Sequence, residues 1–434
     1  MSKSSYKFQQ VRFSGGQLSG LLVKRVDGVP VGYQNLFITH NYFKTSHSYN
    51  TIKSMIKILG LLSDIFDFMN LDVESRFKVG SLLTISEIEL LTSWLMRPVN
   101  KLYEAASINN STNVVFLKRK KIELNKYKIL IDEDLVEPET SYVRISLVAE
   151  YLHWLAGVFD IASSVVIEKM KTRILRHRPI KINRFDDDKP FKSLNKKDKV
   201  AMLQLVEPNS PNNPWKVEEV QHRNKLIVSI LLYTGCRKGE LLSLKVSDIE
   251  SDNRVLKIRK RKNDIEDTRV SPALPKTRNR DIEVGFELHG LIEDYIIKYR
   301  SKVMGANKTP FLFVSHQKGA TEAKPLSNSA VDRIFNDIKK VLGISAFPHA
   351  LRHTWNDVFS EKVEQFLDSG ELTKSEVEDI RSYAMGWKPD SGTAKIYTKR
   401  YEQKKAMKIS LHLQKRAREG DKEIIDVLNT DVPF

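Results

Sequence analysis

The segment "FPHALRHTW", residues 347–355, places two histidines and one arginine within five residues of otherwise apolar sequence. As an α-helix that begins at Pro348, it separates into two faces. The apolar face consists of Leu351, Trp355, Val358 and Phe359. The polar face consists of His349, Arg352, His353 and Asn356. The pattern predicts a helix that is anchored in a hydrophobic core and directs a set of hydrogen-bond donors outward.

The overall charge indicates what kind of partner these donors would meet. The 71 lysines and arginines outnumber the 54 acidic residues, so the formal net charge is +17. A charge of this size favours a polyanionic partner, most often nucleic acid. The single cysteine, Cys236, excludes internal disulfides and a cysteine-based metal site, and it is typical of a reducing cytosol.

Targeting and membrane signals are missing from the sequence. The beginning "MSKSSYKFQQ" lacks the apolar region of a signal peptide, and apolar runs such as "LIVSILLY" are too short to span a bilayer. We therefore expect a protein of the bacterial cytoplasm that is associated with the nucleoid and makes no membrane contact.

Changes in residue pattern divide the chain into four parts. Glycine-rich turns separate short apolar runs at the start, and a helical pattern with a capping box from Thr84 to Glu87 follows. Beyond a charged, proline-containing stretch, strands are expected at "RVLKIRKR" and "RDIEVGFEL" among further helices. The predicted fold class is mainly α with a small β-sheet (α+β). The predicted parts are residues 1–45 (N-terminal extension or accessory arm), 46–178 (helical domain), 179–192 (linker) and 193–434 (last domain with a C-terminal tail).

Several polar residues of the last domain occur in a specific order. They lie in the segments "TGCRKGELLSL", "LPKTRNRDIEV", "HALRH" and "MGWKPDSGTAKIYTKRY". In chain order they are Arg237, Lys276, His349, Arg352, Trp387 and Tyr397. This order resembles the tyrosine recombinases, the phage integrase family, over roughly residues 193–400. The helical domain before it takes the place of that family's core-binding domain, so the last domain would be the catalytic one.

The resemblance implies a reaction at one DNA phosphate. Attack on a phosphodiester builds negative charge on the non-bridging oxygens, and Arg237 and Arg352 would meet it with planar guanidinium groups. Tyr397 would be the nucleophile, with His349 as its base, and Lys276 would protonate the leaving 5′ oxygen from a flexible hairpin. The resulting 3′-phosphotyrosine stores the bond energy, so rejoining needs no ATP, metal or other cofactor.

Supporting roles and alternatives go with this assignment. Trp387 stands where the family carries His or Trp and would donate its indole N–H to the phosphate, or it is a core residue. Glu240 would orient the basic groups, and His353 is either a second donor or a local hydrogen-bond partner. Tyr401 is a rival of Tyr397 as nucleophile. The rivals of Lys276 in the same segment are Lys260, Lys262, Arg278 and Arg280.

Two spacings depart from the family pattern. Trp387 and Tyr397 are ten residues apart in the sequence, where nine is usual. The stretch from Arg352 to Trp387 is also longer than is common, and it contains a capping box at Thr373 and Glu376. We predict that the additional residues form a longer helical hairpin and leave the site intact.

Three functions are consistent with these residues. The first is a site-specific recombinase or integrase of a mobile genetic element, acting as a homotetramer on double-stranded DNA, with an accessory recombinase or excisionase as a further partner. The second is a topoisomerase of type IB or a telomere resolvase, which share the same chemistry. The third is a non-catalytic DNA-binding protein on the same fold. Such a protein would be expected to lack one of the arginines or the tyrosine, but this sequence has all of them.

Overall fold

The computed structural model describes residues 4–14, 17–43, 48–111, 134–160, 163–180, 193–261, 264–273 and 277–388, together with residues 406, 410, 413 and 414. The chain divides into two compact units between Asp187 and Asp188. This division falls within residues 179–192, and the linker proposed there stays a prediction because residues 181–192 are outside the described ranges. None of the described helices has the length and apolar character needed to cross a membrane.

The first unit is helical with one β-hairpin. Its strands are β1 (Tyr6–Arg12) and β2 (Leu18–Lys24), which pair in antiparallel register. Its helices are α1 (Gly32–Ile38), α2 (Tyr49–Met69), α3 (Val73–Lys78), α4 (Ile85–Leu95), α5 (Val99–Ser111), α6 (Pro138–Phe159) and α7 (Ser164–Arg176). The capping box predicted at the start of α4 is confirmed, since the Thr84 side chain accepts from the Glu87 N–H and the Glu87 carboxylate accepts from the Thr84 N–H.

The N-terminal hairpin belongs to the core of this unit. Leu22 of β2 and Phe37 of α1 are buried in the same hydrophobic cluster as Ile56 of α2. The carboxylate of Asp64, also on α2, accepts a hydrogen bond of 2.9 Å from the Ser5 backbone N–H. The described residues before α2 therefore pack within this unit, and their use as a DNA-binding arm stays a prediction.

The second unit combines helices with a small antiparallel sheet of strand order β3-β4-β5. The strands are β3 (Ile249–Glu250), β4 (Val255–Ile258) and β5 (Arg280–Glu283), so the predicted strands are confirmed. The helices are α8 (Lys196–Val206), α9 (Glu218–Thr234), α10 (Lys238–Ser243), α11 (Phe286–Asp294), α12 (Asn328–Leu342), α13 (Pro348–Asp368) and α14 (Lys374–Met385). The mainly helical fold class predicted from the sequence is confirmed.

Helix α9 forms the centre of the second core. Its "LIVSILL" run is buried on all sides, and α13 packs along it. Each aliphatic side chain buried in this way stabilises the fold by about 1.5–3 kcal/mol. The helix ends where the sequence predicts, at Gly235, whose φ of 61° is a left-handed conformation that glycine adopts without strain.

The connection between β4 and β5 is held against the body of the unit. Arg269 and Asp267 form a buried ion pair of 2.8 Å, with both side chains 5% exposed. Arg269 also donates to the carbonyl oxygens of Leu242 and Leu326 at 3.0 and 3.1 Å. Buried ion pairing fixes this part of the connection, and the flexible hairpin expected to carry Lys276 stays a prediction because residues 274–276 lie outside the described ranges.

Helix α13 begins at Pro348 as predicted, but its two faces differ from the expectation. Arg352 and Asn356, expected to point outward, are 1% and 0% exposed, whereas Val358, expected in the core, is 39% exposed. The reason is that α13 is covered on two sides: α9 packs along one, and Met385 at the end of α14 contacts Asn356 on the other. Periodicity predicts one buried face, and here the contacts of two helices bury more of the surface.

Candidate active site

The first component of the site is the turn between α9 and α10. Arg237 precedes the first residue of α10, and its side chain is 30% exposed. The carboxylate of Glu240, one turn further on, accepts a hydrogen bond of 2.9 Å from the Arg237 backbone N–H. The Arg237 guanidinium lies 3.8 Å from the same carboxylate. Glu240 thus holds the backbone of Arg237 by a hydrogen bond and forms a longer ion pair with its charged group.

Arg352 connects this turn to the end of α14. Its Nη1 donates to the Gly235 carbonyl oxygen at 2.7 Å, and its Nη2 donates to the Met385 carbonyl oxygen at 2.9 Å. Its guanidinium carbon also lies 5.5 Å from the centre of the Trp387 ring, a distance typical of a cation–π contact. Arg352 therefore joins two backbone positions, each two residues before a predicted site residue: Gly235 before Arg237, and Met385 before Trp387.

Trp387 follows the left-handed turn at Gly386 that ends α14. It is 6% exposed and packs against Met385 and Trp355. The Trp355 indole N–H donates to the Tyr233 carbonyl oxygen at 3.0 Å, which ties this small aromatic cluster to the end of α9. The burial of the Trp387 ring supports a packing role, and donation of its N–H to a phosphate stays a prediction.

The two histidines of "HALRH" lie on consecutive turns of α13. Their ring centres are 4.5 Å apart, with the planes at 74° in an edge-to-face arrangement. His349 is exposed and His353 is half-buried. His349, on the first turn of the same helix as Arg352, is accessible to a ligand from outside, as a base for a bound substrate would have to be.

Glu240 is the centre of a buried polar cluster. It is 1% exposed and accepts hydrogen bonds from Arg280, from Thr277 and from the Arg237 backbone. Burial by itself raises the pKa of this carboxyl, but the Arg280 guanidinium and the other donors outweigh it and hold the pKa below its usual range. Glu240 is therefore ionised at neutral pH.

Thr277 and Arg280 are the members of this cluster that the sequence did not predict as site residues, since Arg280 is there only a rival of Lys276. The position of Arg280 contained a signal: it starts a strand whose alternation turns its side chain inward, where it is 3% exposed. An arginine at an inward strand position needs a buried acceptor. Sequence alone does not identify that acceptor as Glu240, 40 residues earlier.

The structure thus brings together four of the predicted residues: Arg237, Glu240, Arg352 and Trp387. His349 and His353 lie on the helix that carries Arg352. Three others, Lys276, Tyr397 and its rival Tyr401, lie outside the described residues. Their roles stay predictions.

Within the described ranges, no group of three or more His, Cys, Asp or Glu residues is placed to hold a metal ion. Cys236, next to Arg237, is fully buried, and burial raises the pKa of its thiol to about 12. A thiol with this pKa stays protonated near neutral pH, so it contributes packing and not a charge to the site.

Comparison with known proteins places this geometry in a family. The model of the phage integrase family matches residues 193–364, the range that contains Arg237, Glu240, His349 and Arg352. Residues 193–364 are a domain of the phage integrase family, to which the tyrosine recombinases belong.

Named relatives of the chain include a transposase and a resolvase. It is 28% identical over 315 residues to "Transposase A from transposon Tn554" of Staphylococcus aureus, covering 71% of this chain and 74% of the relative. It is 28% identical over 137 residues to "TnP I resolvase" of Bacillus thuringiensis, covering 32% of this chain and 40% of the relative. Among solved structures, a lambda integrase dimer bound to a core site matches with a TM-score of 0.44 at 14% identity, covering 84% of this chain and 93% of that one.

Gly235 is a residue of the candidate active site where a larger side chain has little room. A Cβ atom there would lie 2.8 Å from Met385 Cε and 2.9 Å from Trp355 Cγ, in a left-handed backbone conformation. We expect Gly235→Ala to lower the free energy of unfolding by about 3 kcal/mol, from backbone strain and overpacking together. Equilibrium denaturation of the full chain measures this value.

Gly343 provides the matched control for this prediction. It ends α12 with a similar φ of 68°, but no described atom lies within 4 Å of a Cβ built on it. Gly343→Ala should therefore cost only the backbone strain, about 1 kcal/mol. Equal losses in the two variants would contradict the close packing inferred around Gly235.

Proposed function

We propose that this tyrosine recombinase is the site-specific recombinase or integrase of a mobile genetic element, cutting and rejoining double-stranded DNA in the bacterial cytoplasm. One observation carries the proposal: Arg352 contacts both the Gly235 carbonyl, two residues before Arg237, and the ring of Trp387, so cationic groups from distant segments belong to one cluster. The resemblance to a transposase of transposon Tn554 supports the mobile-element context.

The proposed reaction begins with the two arginines on one phosphate. Arg237 and Arg352 bind its non-bridging oxygens, where negative charge develops, and each donor of this kind contributes about 3 kcal/mol to transition-state stabilisation. The Tyr397 hydroxyl attacks phosphorus while His349 takes its proton. The bond to the 5′ oxygen breaks, and Lys276 gives that oxygen a proton. Reversal of these steps by a different 5′ hydroxyl joins the DNA in a new arrangement.

In this proposal Glu240 and Trp387 keep the two arginines of the site in position. Glu240 holds the Arg237 backbone and charge, which supports the orienting role expected of it. The Trp387 ring covers one side of the Arg352 guanidinium and limits the directions in which it moves. His353 packs against His349 and would keep that ring in place for proton transfer.

The first unit supplies a second DNA-binding surface in this proposal. Lys169, Arg173 and Arg176 recur along the exposed side of α7 at i, i+4 and i+7, opposite the buried Ile167 and Met170. A row of cations at this spacing can follow a phosphate backbone, where it contributes affinity without reading sequence. Assembly of four copies on two sites, and help from an accessory recombinase or excisionase, are further parts of the proposal.

Covalent capture of DNA by the full-length chain tests the proposed function. Nicked duplexes with a randomised centre are incubated with the protein, and those that stay attached in SDS are sequenced. Attachment through a 3′ phosphate leaves a 5′ hydroxyl on the released strand, which polynucleotide kinase labels without prior phosphatase treatment. An absence of captured duplexes, or attachment through the 5′ end, would contradict the proposal.

A second labelled duplex separates the alternative enzymes. Transfer of the cut strand to that duplex is expected of a recombinase. A topoisomerase of type IB would rejoin only the original strand, and a telomere resolvase would close it into a hairpin.

A further inference from the structure

The ion pair between Glu240 and Arg280 is the most completely buried of the charged pairs that involve a predicted site residue. Their side chains are 0% and 1% exposed, and Arg280 Nη2 lies 2.8 Å from Glu240 Oε2. A second guanidinium nitrogen, Nη1, lies 3.3 Å from the other carboxylate oxygen, so the arginine fork spans both oxygens. The Thr277 hydroxyl donates to the same carboxylate. Four described donor groups thus converge on Glu240 when the Arg237 backbone N–H is included.

This cluster contacts three segments that carry proposed catalytic groups. The Arg237 N–H donates to Glu240 directly. Thr277 immediately follows Lys276 in the sequence. Gly386 immediately precedes Trp387, and a Cβ atom at Gly386 would lie 2.7 Å from Arg280 Nη1. The Arg280 guanidinium therefore packs against the backbone of Gly386, next to Trp387. It also bonds to Glu240, the residue that orients Arg237.

A backbone hydrogen bond strengthens the third connection. The Arg278 N–H donates to the Gly386 carbonyl oxygen at 3.0 Å, so the residues around Arg280 and the turn before Trp387 are bonded directly. The φ of 64° at Gly386 is a left-handed conformation that favours glycine, and the lack of a Cβ is what allows Arg280 to approach. Displacement of Arg280 would therefore remove contacts that hold the turn at Gly386 and the start of β5.

Stability alone does not account for a buried ion pair at this place. Replacing such a pair by apolar residues of similar volume is often neutral or stabilising, because two charges lose their hydration on burial. The pair does fix the relative position of its two residues, since a planar guanidinium on a carboxylate sets both the orientation of the two groups and the distance between them. Fixed geometry has its greatest effect where several reactive groups must meet one phosphate.

We infer that Arg280 is a positioning residue for DNA cleavage: through Glu240, Thr277 and Gly386 it sets the relative placement of the segments that carry Arg237, Lys276 and Trp387. This inference rests on the proposed function. Arg280 makes no contact with the DNA and affects the chemical step only through the residues that it holds. Misplacement of reacting groups by about 1 Å lowers a reaction rate by about 100-fold, and this sets the scale of the expected effect.

Two variants test the role. Arg280→Lys keeps the charge and loses the fork. The double variant Arg280→Met, Glu240→Gln removes both charges, so that no carboxylate stays buried without its partner, and it keeps the protein foldable. The rate of covalent attachment is measured in a single turnover at saturating duplex, using a duplex captured by the wild-type chain, together with the dissociation constant for that duplex and the thermal unfolding midpoint.

The Arg269–Asp267 pair is the matched control. It is similarly buried in the same unit. Arg269 contacts the Leu242 and Leu326 carbonyls and the Phe311 ring, none of which belongs to a proposed catalytic residue. The double variant Arg269→Met, Asp267→Asn should lose stability comparably and keep the wild-type attachment rate at temperatures below its unfolding transition.

We expect both Arg280 variants to attach to DNA about 100-fold more slowly than wild type with an unchanged dissociation constant. An attachment rate within a factor of about three of wild type in either variant would overturn the inference. So would a decrease in attachment rate that is explained by weaker DNA binding, or one that the Arg269 control shows as well. Failure of the wild-type chain itself to attach to any duplex would instead contradict the proposed function, so the two failures are distinguishable.

Discussion

A Tyr397→Phe variant is expected to bind its DNA site with wild-type affinity and to form no covalent protein–DNA adduct. The substitution removes one oxygen atom, the one that would form the bond to phosphorus, and leaves the ring. Loss of a covalent nucleophile lowers rates by about 10⁴-fold or more, so the adduct should fall below detection. Electrophoresis in SDS with end-labelled duplex measures attachment, and a mobility-shift titration measures affinity.

Tyr401→Phe is the matched control, because Tyr401 lies four residues later and is the rival nucleophile. It should attach to DNA at the wild-type rate. Attachment by Tyr397→Phe together with its loss in Tyr401→Phe would transfer the nucleophile assignment to Tyr401. Attachment by the double variant Tyr397→Phe, Tyr401→Phe would contradict both of these tyrosines as nucleophile.

The second large effect is expected at the two arginines, and the structure predicts that they differ. Arg237→Lys and Arg352→Lys should each slow DNA cleavage by about 10²–10³-fold, because a lysine cannot present the planar fork to two phosphate oxygens. Only Arg352→Lys should also destabilise the fold, by about 3 kcal/mol, since it loses two charge-assisted hydrogen bonds to buried carbonyls. Arg237 is 30% exposed, so Arg237→Lys should cost under about 1 kcal/mol.

Single-turnover cleavage and equilibrium denaturation of both variants measure these two quantities separately. The pair of measurements distinguishes a residue that only contacts the phosphate from one that also joins Gly235 to Met385. Equal stability of the two variants would mean that the carbonyl contacts of Arg352 contribute little. Unimpaired cleavage by Arg237→Lys would remove Arg237 from the proposed phosphate clamp.

Much of the secondary structure follows from local sequence. The capping box at Thr373 and Glu376 predicts the start of α14, and Gly235 predicts the end of α9. These signals are readable because a helix end is decided by hydrogen bonds within a few residues and by the backbone freedom of glycine. The strand β5 was predicted for a similar reason, since alternation is also a local pattern.

The faces of these elements were less predictable. Helical periodicity assigned Arg352 and Asn356 to an outer face, yet both are buried, because α9 and the end of α14 cover α13 on two sides. The hairpin formed by β1 and β2 was predicted as an extension, and it packs in the first core. In both cases a distant segment decided the burial, and the local pattern contains no information on which segment that is.

The sequence by itself determined the order of the polar residues, from Arg237 to Tyr397, and with it the family and the chemistry that those residue types allow. Only the tertiary structure decided which of them depend on one another: that Arg352 bonds to the backbone on both sides of the cluster, and that Arg280 is the partner of Glu240. The physical reason is that reactivity belongs to the side chain, whereas the position of a buried charge depends on an acceptor supplied from elsewhere in the chain.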